Sequence, residues 1–301
     1  MSAQGSNVSE RVAAASSELV IRPLDPVMGA EVLGADLSRP LSDADLQRFT
    51  DALHRHKVLV YRDQDLTKEQ LIAFSRRWGP LGEHIMPGAA SDDYEELNVM
   101  SNMGKDGKPT GKHPDPTAKR WHTDRSYMPR PAMTTILYGV EVPSVGGDTL
   151  FANGTMAYDA LPDDVRRRID RLNAIHSVEH SRRDGGVALA TEYELKKAPP
   201  VRHPLARPHP ATGKKAIYCG CHAWKVEGLP DDEGRQLLDY LIGFAVQERF
   251  VYRHKWRRHD LLQRKLFFPR RAGRDLSASR LPRRGWPAVH RVPERLGAQP
   301  R

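Results

Sequence analysis

The chain has only two cysteines in 301 residues, Cys219 and Cys221, a scarcity that excludes a fold stapled by disulfides. On a strand these two would share a face, awkwardly placed for a bridge to each other, so a reduced compartment is the natural reading. Cys219-Gly220-Cys221-His222 could suggest zinc. Two adjacent ligands without a second pair make a poor structural site, however, and a place lining or backing a pocket is expected instead. No stretch approaches the ~18 to 20 uninterrupted apolar residues of a membrane span. Residues 1–18 are small and polar without the apolar core of a signal peptide, so they read as a disordered lead. The protein is therefore expected to be cytoplasmic, with no membrane partner.

The acidic side of the charge balance is short as well, 38 Asp and Glu against 47 Lys and Arg, a net charge of +9. The excess lies entirely in residues 263–301, where ten Arg and one Lys face only Asp275 and Glu294. A basic, Pro-bearing tail can bind phosphates non-specifically. The body has no basic face or aromatic platform, which excludes a specific nucleic-acid partner.

What is present centres on Trp121-His122-Thr123-Asp124 and, further on, Gly146-Gly147-Asp148-Thr149-Leu150-Phe151. If His122 and Asp124 lie on a strand, both point to one face, because residues i and i+2 share a side. An imidazole nitrogen and a carboxylate oxygen suit a divalent first-row metal, and two histidines with one carboxylate leave open positions on Fe(II). An isolated H-x-D arises by chance in many chains as a solvated strand edge. Here the context lifts it.

With Thr149 lying 25 residues after Asp124, W-H-x-D and G-G-D-T together resemble the taurine dioxygenase and phenoxyacetate dioxygenase (TauD/TfdA-like) family, which depends on Fe(II) and 2-oxoglutarate. The likeness extends through Gly29-Ala30-Glu31-Val32, Phe74-Ser75-Arg76-Arg77-Trp78-Gly79, His209-Pro210-x-Thr212-Gly213-Lys214-Lys215, Glu227-Gly228-Leu229 and Trp256-x-x-x-Asp260-Leu261. It implies a dioxygenase domain over residues 19–262, mostly β with flanking helices, a double-stranded β-helix or cupin-like jelly roll. It also implies His122 and Asp124 as catalytic metal ligands and Thr149 as a hydroxyl donor to 2-oxoglutarate. The co-substrate would chelate the iron, and its decarboxylation to succinate with O2 would produce the oxidant that removes a substrate hydrogen.

The resemblance breaks after Leu262. The family continues with W-D-N-R and a distal metal histidine, whereas no histidine occurs here from 261 to 289. Counting in the family register puts that ligand near Arg271 or Gly273, and neither side chain can bind iron in the expected way. The tail 263–301 thus stands in place of the family's last strands, and the loss of register suggests a shifted reading frame or a degraded gene end. Two readings of the tail stay open. In one, Arg283-Arg284 and His290-Arg291 correspond to the family's R-R-x-x-H-R, although five residues separate the pairs here rather than two, with Arg284 and Arg291 as the co-substrate and substrate anion contacts. In the other, His290 is the third iron ligand and Arg301 the co-substrate Arg. His254 or His259 could also be recruited by rearrangement. Failing all of these, the chain is a catalytically impaired relative, and loss of the W-D-N-R strand should cost packing in a central wall.

Periodicity places a hairpin around Gly29 and a helix from Ser42 to about His54. It adds a buried strand at Val58–Tyr61 and a helix capped by Thr67. A long loop from Glu83 to Lys119 leads into His122. A strand at 134–140, helices at 158–172 and 231–248, and a last clear strand at 250–256 complete the pattern. Arg120, just before the metal histidine, and His84 are candidate contacts for a small anionic substrate such as a sulfonate or carboxylate. Related folds often associate, so a homo-oligomer is compatible with the sequence, though no interface is legible.

Overall fold

The computed structural model describes residues 18–82, 91, 93–104, 106, 108, 110, 120–265 and 268–271. The lead, apart from Glu18, and the Arg- and Pro-rich tail after Arg271 lie outside the described residues.

The opening hairpin pairs β1 (Val20–Pro23) with β2 (Ala30–Leu33) in the register Val20 to Leu33. Gly29 enters β2 at φ 97°, and a Cβ there would meet the Tyr252 ring at 3.3 Å, so both conformation and space call for glycine. Helix α1 (Asp43–His56) is capped by the Ser42 hydroxyl, which accepts from the Asp45 amide at 3.1 Å, and it buries Phe49, Ala52 and Leu53. Strand β3 (Val58–Tyr61) is wholly buried. Helix α2 (Lys68–Arg76) carries a complete capping box between Thr67 and Gln70. Phe49, Tyr61 and Phe74 pack edge to face at ring separations of 5.2 and 5.6 Å, joining α1, β3 and α2 into one core.

The remaining strands are β4 (Thr134–Tyr138), β5 (Thr149–Ala152), β6 (Asn173–His176), β7 (Val201–Pro204), β8 (Ala206–Pro208), β9 (Lys215–Ile217), β10 (Ala223–Val226), β11 (Val251–His254), β12 (Leu261–Lys265) and β13 (Phe268–Arg271). The main sheet runs β1-β2-β3-β12-β4. Two three-stranded sheets, β10-β6-β7 and β11-β5-β13, and the pair β8-β9 complete the framework. Helix α7 (Asp231–Ala245) buries Leu237, Leu238 and Leu241 in the largest core, with Ala174, Leu205 and Ile217.

Several expectations are corrected. The helix expected over 158–172 is two, α3 (Gly154–Asp159) and α4 (Asp163–Ile169), because Pro162 supplies no amide hydrogen to continue a helix. The segment from His180 to Pro200, which reads in the sequence as an insertion, holds most of α5 (Val178–Asp184) and all of α6 (Glu192–Lys197). Cys219 and Cys221 sit between β9 and β10 rather than on a strand, and neither forms a disulfide. Most important, 250–256 does not hold the last strand. Strand β12 crosses the boundary expected after Leu262 and occupies the middle of the main sheet, pairing with both β3 and β4. The central wall expected to be lost is therefore occupied, by buried Leu261, Leu262, Gln263, Arg264 and Lys265. The Tyr61 hydroxyl donates to Gln263 Oε1 at 3.2 Å, which satisfies that buried amide oxygen.

Around α6, Arg182 donates to both Glu194 oxygens at 2.9 and 2.7 Å, and the Thr191 amide donates to Oε2 at 2.7 Å. Led by the Arg182 bonds, these contacts hold the Glu194 carboxyl down at about 2. Its folded value lies below its unfolded one, so the stabilisation is full above about pH 4.5 and disappears as pH falls towards 2. Glu194→Gln is expected to cost about 2–3 kcal/mol at pH 7. The gap to the parent should narrow steadily in urea titrations between pH 4.5 and 2; a gap independent of pH would contradict this account.

Candidate metal and co-substrate site

His122 and Asp124 do not lie on a strand as expected. They belong to an extended loop that enters a turn, where the Ser126 amide bonds to the Thr123 carbonyl at 3.2 Å and the Met128 amide to the Arg125 carbonyl at 2.9 Å. Buried Thr123 anchors the loop between them. The Cys221 amide donates to the Trp121 carbonyl at 2.8 Å and ties the segment to the turn before β10. The convergence expected from i, i+2 spacing is present all the same. His122 Nε2 stands 3.1 Å from Asp124 Oδ1.

The hydrogen bonding makes this contact informative. His122 Nδ1 lies 2.8 Å from the Arg120 carbonyl oxygen, which can only accept, so Nδ1 carries the proton. With Nε2 protonated as well it donates to Asp124 Oδ1, and once that proton is displaced the Nε2 lone pair faces the same space as the carboxylate oxygen. Two adjacent donors on an octahedral ion at ~2.1 Å lie about 3 Å apart, so Nε2 and Oδ1 are spaced as one edge of a metal's coordination shell. A backbone carbonyl fixing the other ring nitrogen is the usual support of a metal-binding histidine.

The second oxygen of Asp124 is used differently. Thr135 Oγ1, on β4, donates to Oδ2 at 2.8 Å, and Arg264 Nη2, on β12, donates to the same oxygen. Thr135 and Arg264 are register partners, so one cross-strand pair delivers both donors. The Arg264 side chain is only 4% exposed. Burial raises the Asp124 pKa, but the Arg264 guanidinium and His122 outweigh it and hold the carboxyl well below the usual carboxylate range.

His222, read in the sequence only as the end of a Cys-x-Cys-His run lining or backing a pocket, belongs to this neighbourhood. Its Nδ1 lies 2.9 Å from Ser181 Oγ and its ring meets Tyr127 edge-on at 4.9 Å. Burial and the nearby His122 push it down to about 3, so it stays neutral. No local pattern marks it, because the 221-to-121 backbone contact that brings it in spans a hundred residues. Arg264 was missed; it was read only as part of a basic tail.

Among the described residues, the side chains of the other expected residues make contacts of their own. Arg120 Nη2 donates to the Cys221 carbonyl at 3.2 Å, and Nη1 stands 3.7 Å from Asp184. Thr149 is buried in β5, in a different sheet from Thr135, and its hydroxyl accepts from the Trp256 indole at 2.9 Å. His254 contacts the Tyr252 hydroxyl at 3.1 Å, and His259 packs on the Tyr138 ring, so neither joins His122 and Asp124. His84, Arg284, His290, Arg291 and Arg301 lie outside the described residues. Among the described residues no group of three His, Cys, Asp or Glu is placed to hold a metal. The fit to a metal is therefore to one two-donor edge, with Arg264 beside it.

The family described as taurine catabolism dioxygenase TauD, TfdA matches residues 21–263. The chain belongs to this family. The TauD/TfdA match stops one residue before Arg264, the group bonded to Asp124. A 2,4-dichlorophenoxyacetate dioxygenase dependent on alpha-ketoglutarate, from Cupriavidus pinatubonensis, is 37% identical over 252 residues, covering 81% of this chain and 88% of the relative. An (S)-phenoxypropionate/alpha-ketoglutarate-dioxygenase from Sphingobium herbicidovorans is 36% identical over 253 residues, covering 78% and 82%. Among solved structures, AAD-2 in complex with Mn(II) and N-oxalylglycine superposes with a TM-score of 0.76 at 34% identity, covering 86% of this chain and 92% of that one. TauD/TfdA membership makes this chain a 2-oxoglutarate-dependent dioxygenase by family, with a divalent metal as the expected centre. Its sheets flanked by helices agree with the same relatives.

Proposed function

We propose that the chain is an Fe(II)-dependent enzyme that hydroxylates a small anionic organic molecule while 2-oxoglutarate is decarboxylated to succinate with O2, on a double-stranded β-helix. The observation that carries this reading is the 3.1 Å edge between His122 Nε2 and Asp124 Oδ1, with the other nitrogen and the other oxygen both tied to protein. His122 and Asp124 would hold the metal, and His290 would supply the third donor. Bound iron and 2-oxoglutarate together supply the oxidising chemistry, and the protein supplies orientation and exclusion of water.

The chain's own groups divide that work. The Arg120 carbonyl fixes the His122 tautomer. Thr135 holds Asp124 so that one oxygen faces the imidazole. Thr149, whose hydroxyl oxygen already accepts from Trp256, keeps its hydrogen to donate to a carboxylate of the co-substrate. With His290 as ligand, Arg301 would grip the far carboxylate; in the other tail reading Arg284 and Arg291 would grip the far carboxylate and the substrate anion through paired N–H bonds, the geometry for which Arg is suited. Arg120 and His84 would line the approach of the substrate. Phenoxyalkanoates are favoured as the substrate class because the two relatives described above are named for a phenoxyacetate and a phenoxypropionate.

The test is succinate formation from 2-oxoglutarate by the purified chain under air with Fe(II), with phenoxyacetate, an alkyl sulfate, taurine and a neutral phenyl ether offered in turn. The expected result is turnover with one of the anions at several times the rate without substrate. Equal rates with all four would sink the anionic class, and no succinate with any would sink the activity of this chain.

A further inference from the structure

We propose that Arg264 acts as a resident cation at the metal site: its guanidinium occupies one oxygen of Asp124 and lowers the affinity of a divalent metal for the other. This rests on reading His122 and Asp124 as the metal-facing pair. Two observations support it. The guanidinium is almost wholly buried and bonded to Asp124 Oδ2, so its own charge is little screened by water. It is delivered by the central strand β12, locked by backbone pairing to Val58 on one side and Thr135 on the other, so it is not free to swing into solvent.

Charge and geometry together set the consequence. The Asp124 carboxylate, paired with Arg264, carries no net charge as a unit, and a second cation approaching Oδ1 meets the guanidinium's field a few ångströms away. Thr135 alone would orient the carboxylate without that repulsion. Groups bonded to metal ligands shift metal affinity by about 10- to 100-fold, and here the shift is downward.

Mn(II) titration of the purified full chain, followed by loss of the electron paramagnetic resonance signal of the free ion, tests this without reference to activity. Arg264→Met and Arg264→Gln, each checked for folding by circular dichroism, are expected to bind Mn(II) about 10- to 100-fold more tightly than the parent. Equal or weaker binding in these variants, or no binding in parent and variants alike, overturns the proposal. Adding Asp124→Asn to Arg264→Met separates the two inferences: if that change leaves Mn(II) affinity untouched, the His122 and Asp124 reading fails, and if it abolishes binding, that reading stands whatever Arg264 does. Should both Arg264 variants fail to fold, the metal-free Asp124→Asn protein decides. It leaves the guanidinium buried without its carboxylate, so a melting temperature lowered by several degrees is expected, and an unchanged one overturns the proposal.

Discussion

His122→Ala is expected to reduce 2-oxoglutarate-dependent succinate formation by more than about 100-fold while leaving the melting temperature within a few degrees of the parent. Outer groups that only orient a ligand already change affinity or activity by 10- to 100-fold, and His122 would be a direct donor with its tautomer fixed by the Arg120 carbonyl. The ring is only partly buried, so its removal opens little cavity. Steady-state succinate assays beside thermal melts check both halves. Retained activity would take His122 out of the site, and a collapsed melting temperature would make it a structural residue.

The second large effect is expected at Asp260. Its carboxylate is fully buried, accepts from Arg62 Nη1 at 2.5 Å and from the Arg257 amide at 2.8 Å, and lies 3.4 Å from His254 Nε2. Arg62 also donates to Glu31 on β2 at 3.0 Å, so Asp260 closes a charged chain from the opening hairpin to the start of β12. Burial lifts Glu31, yet its bonds to Arg22 and Arg62 bring it net below the ordinary value. Removing one partner of a buried pair strands the other, and Asp260→Ala should cost about 3–5 kcal/mol, roughly 10 °C in melting temperature for a domain of this size. Asp260→Asn keeps the shape and one acceptor and should lose less. Urea titrations of both variants would measure the difference, and equal losses would mean that the charge, which both variants remove, accounts for the whole effect and the shape and acceptor kept by Asn for none of it.

Local chemistry was legible in the sequence wherever it was decided locally. Ser42 and Thr67 announced α1 and α2 because a capping hydroxyl meets an amide three residues on. The turn at Gly29 and the strand at Val58–Tyr61 were legible for the same reason. Pro162 marks the break between α3 and α4, a signal masked by apolar spacing that runs on through it. Strand β12 was hidden for a different reason. Gln263, Arg264 and Lys265 follow one another as three polar residues, a pattern that says surface, and only β3 and β4 closing on both sides bury them. The site divides in the same way. His122 and Asp124 lie close in sequence and form a recognisable motif, whereas His222 and Arg264 arrive through contacts about 100 and 140 residues long, which no local pattern records.

The position of β12 also bears on the order in which the sheet can be completed. Tyr61 pairs with Leu261 across 200 positions, and β4 waits more than 120 residues for the same partner. During synthesis β3 and β4 exist long before the strand that separates them, each with an open row of amides and carbonyls and a run of apolar side chains. Closing such distant ends is slow, and exposed edges pair readily with other chains in the interval. Refolding should therefore be limited by insertion of β12, and aggregation during expression should track the lifetime of the gap it fills.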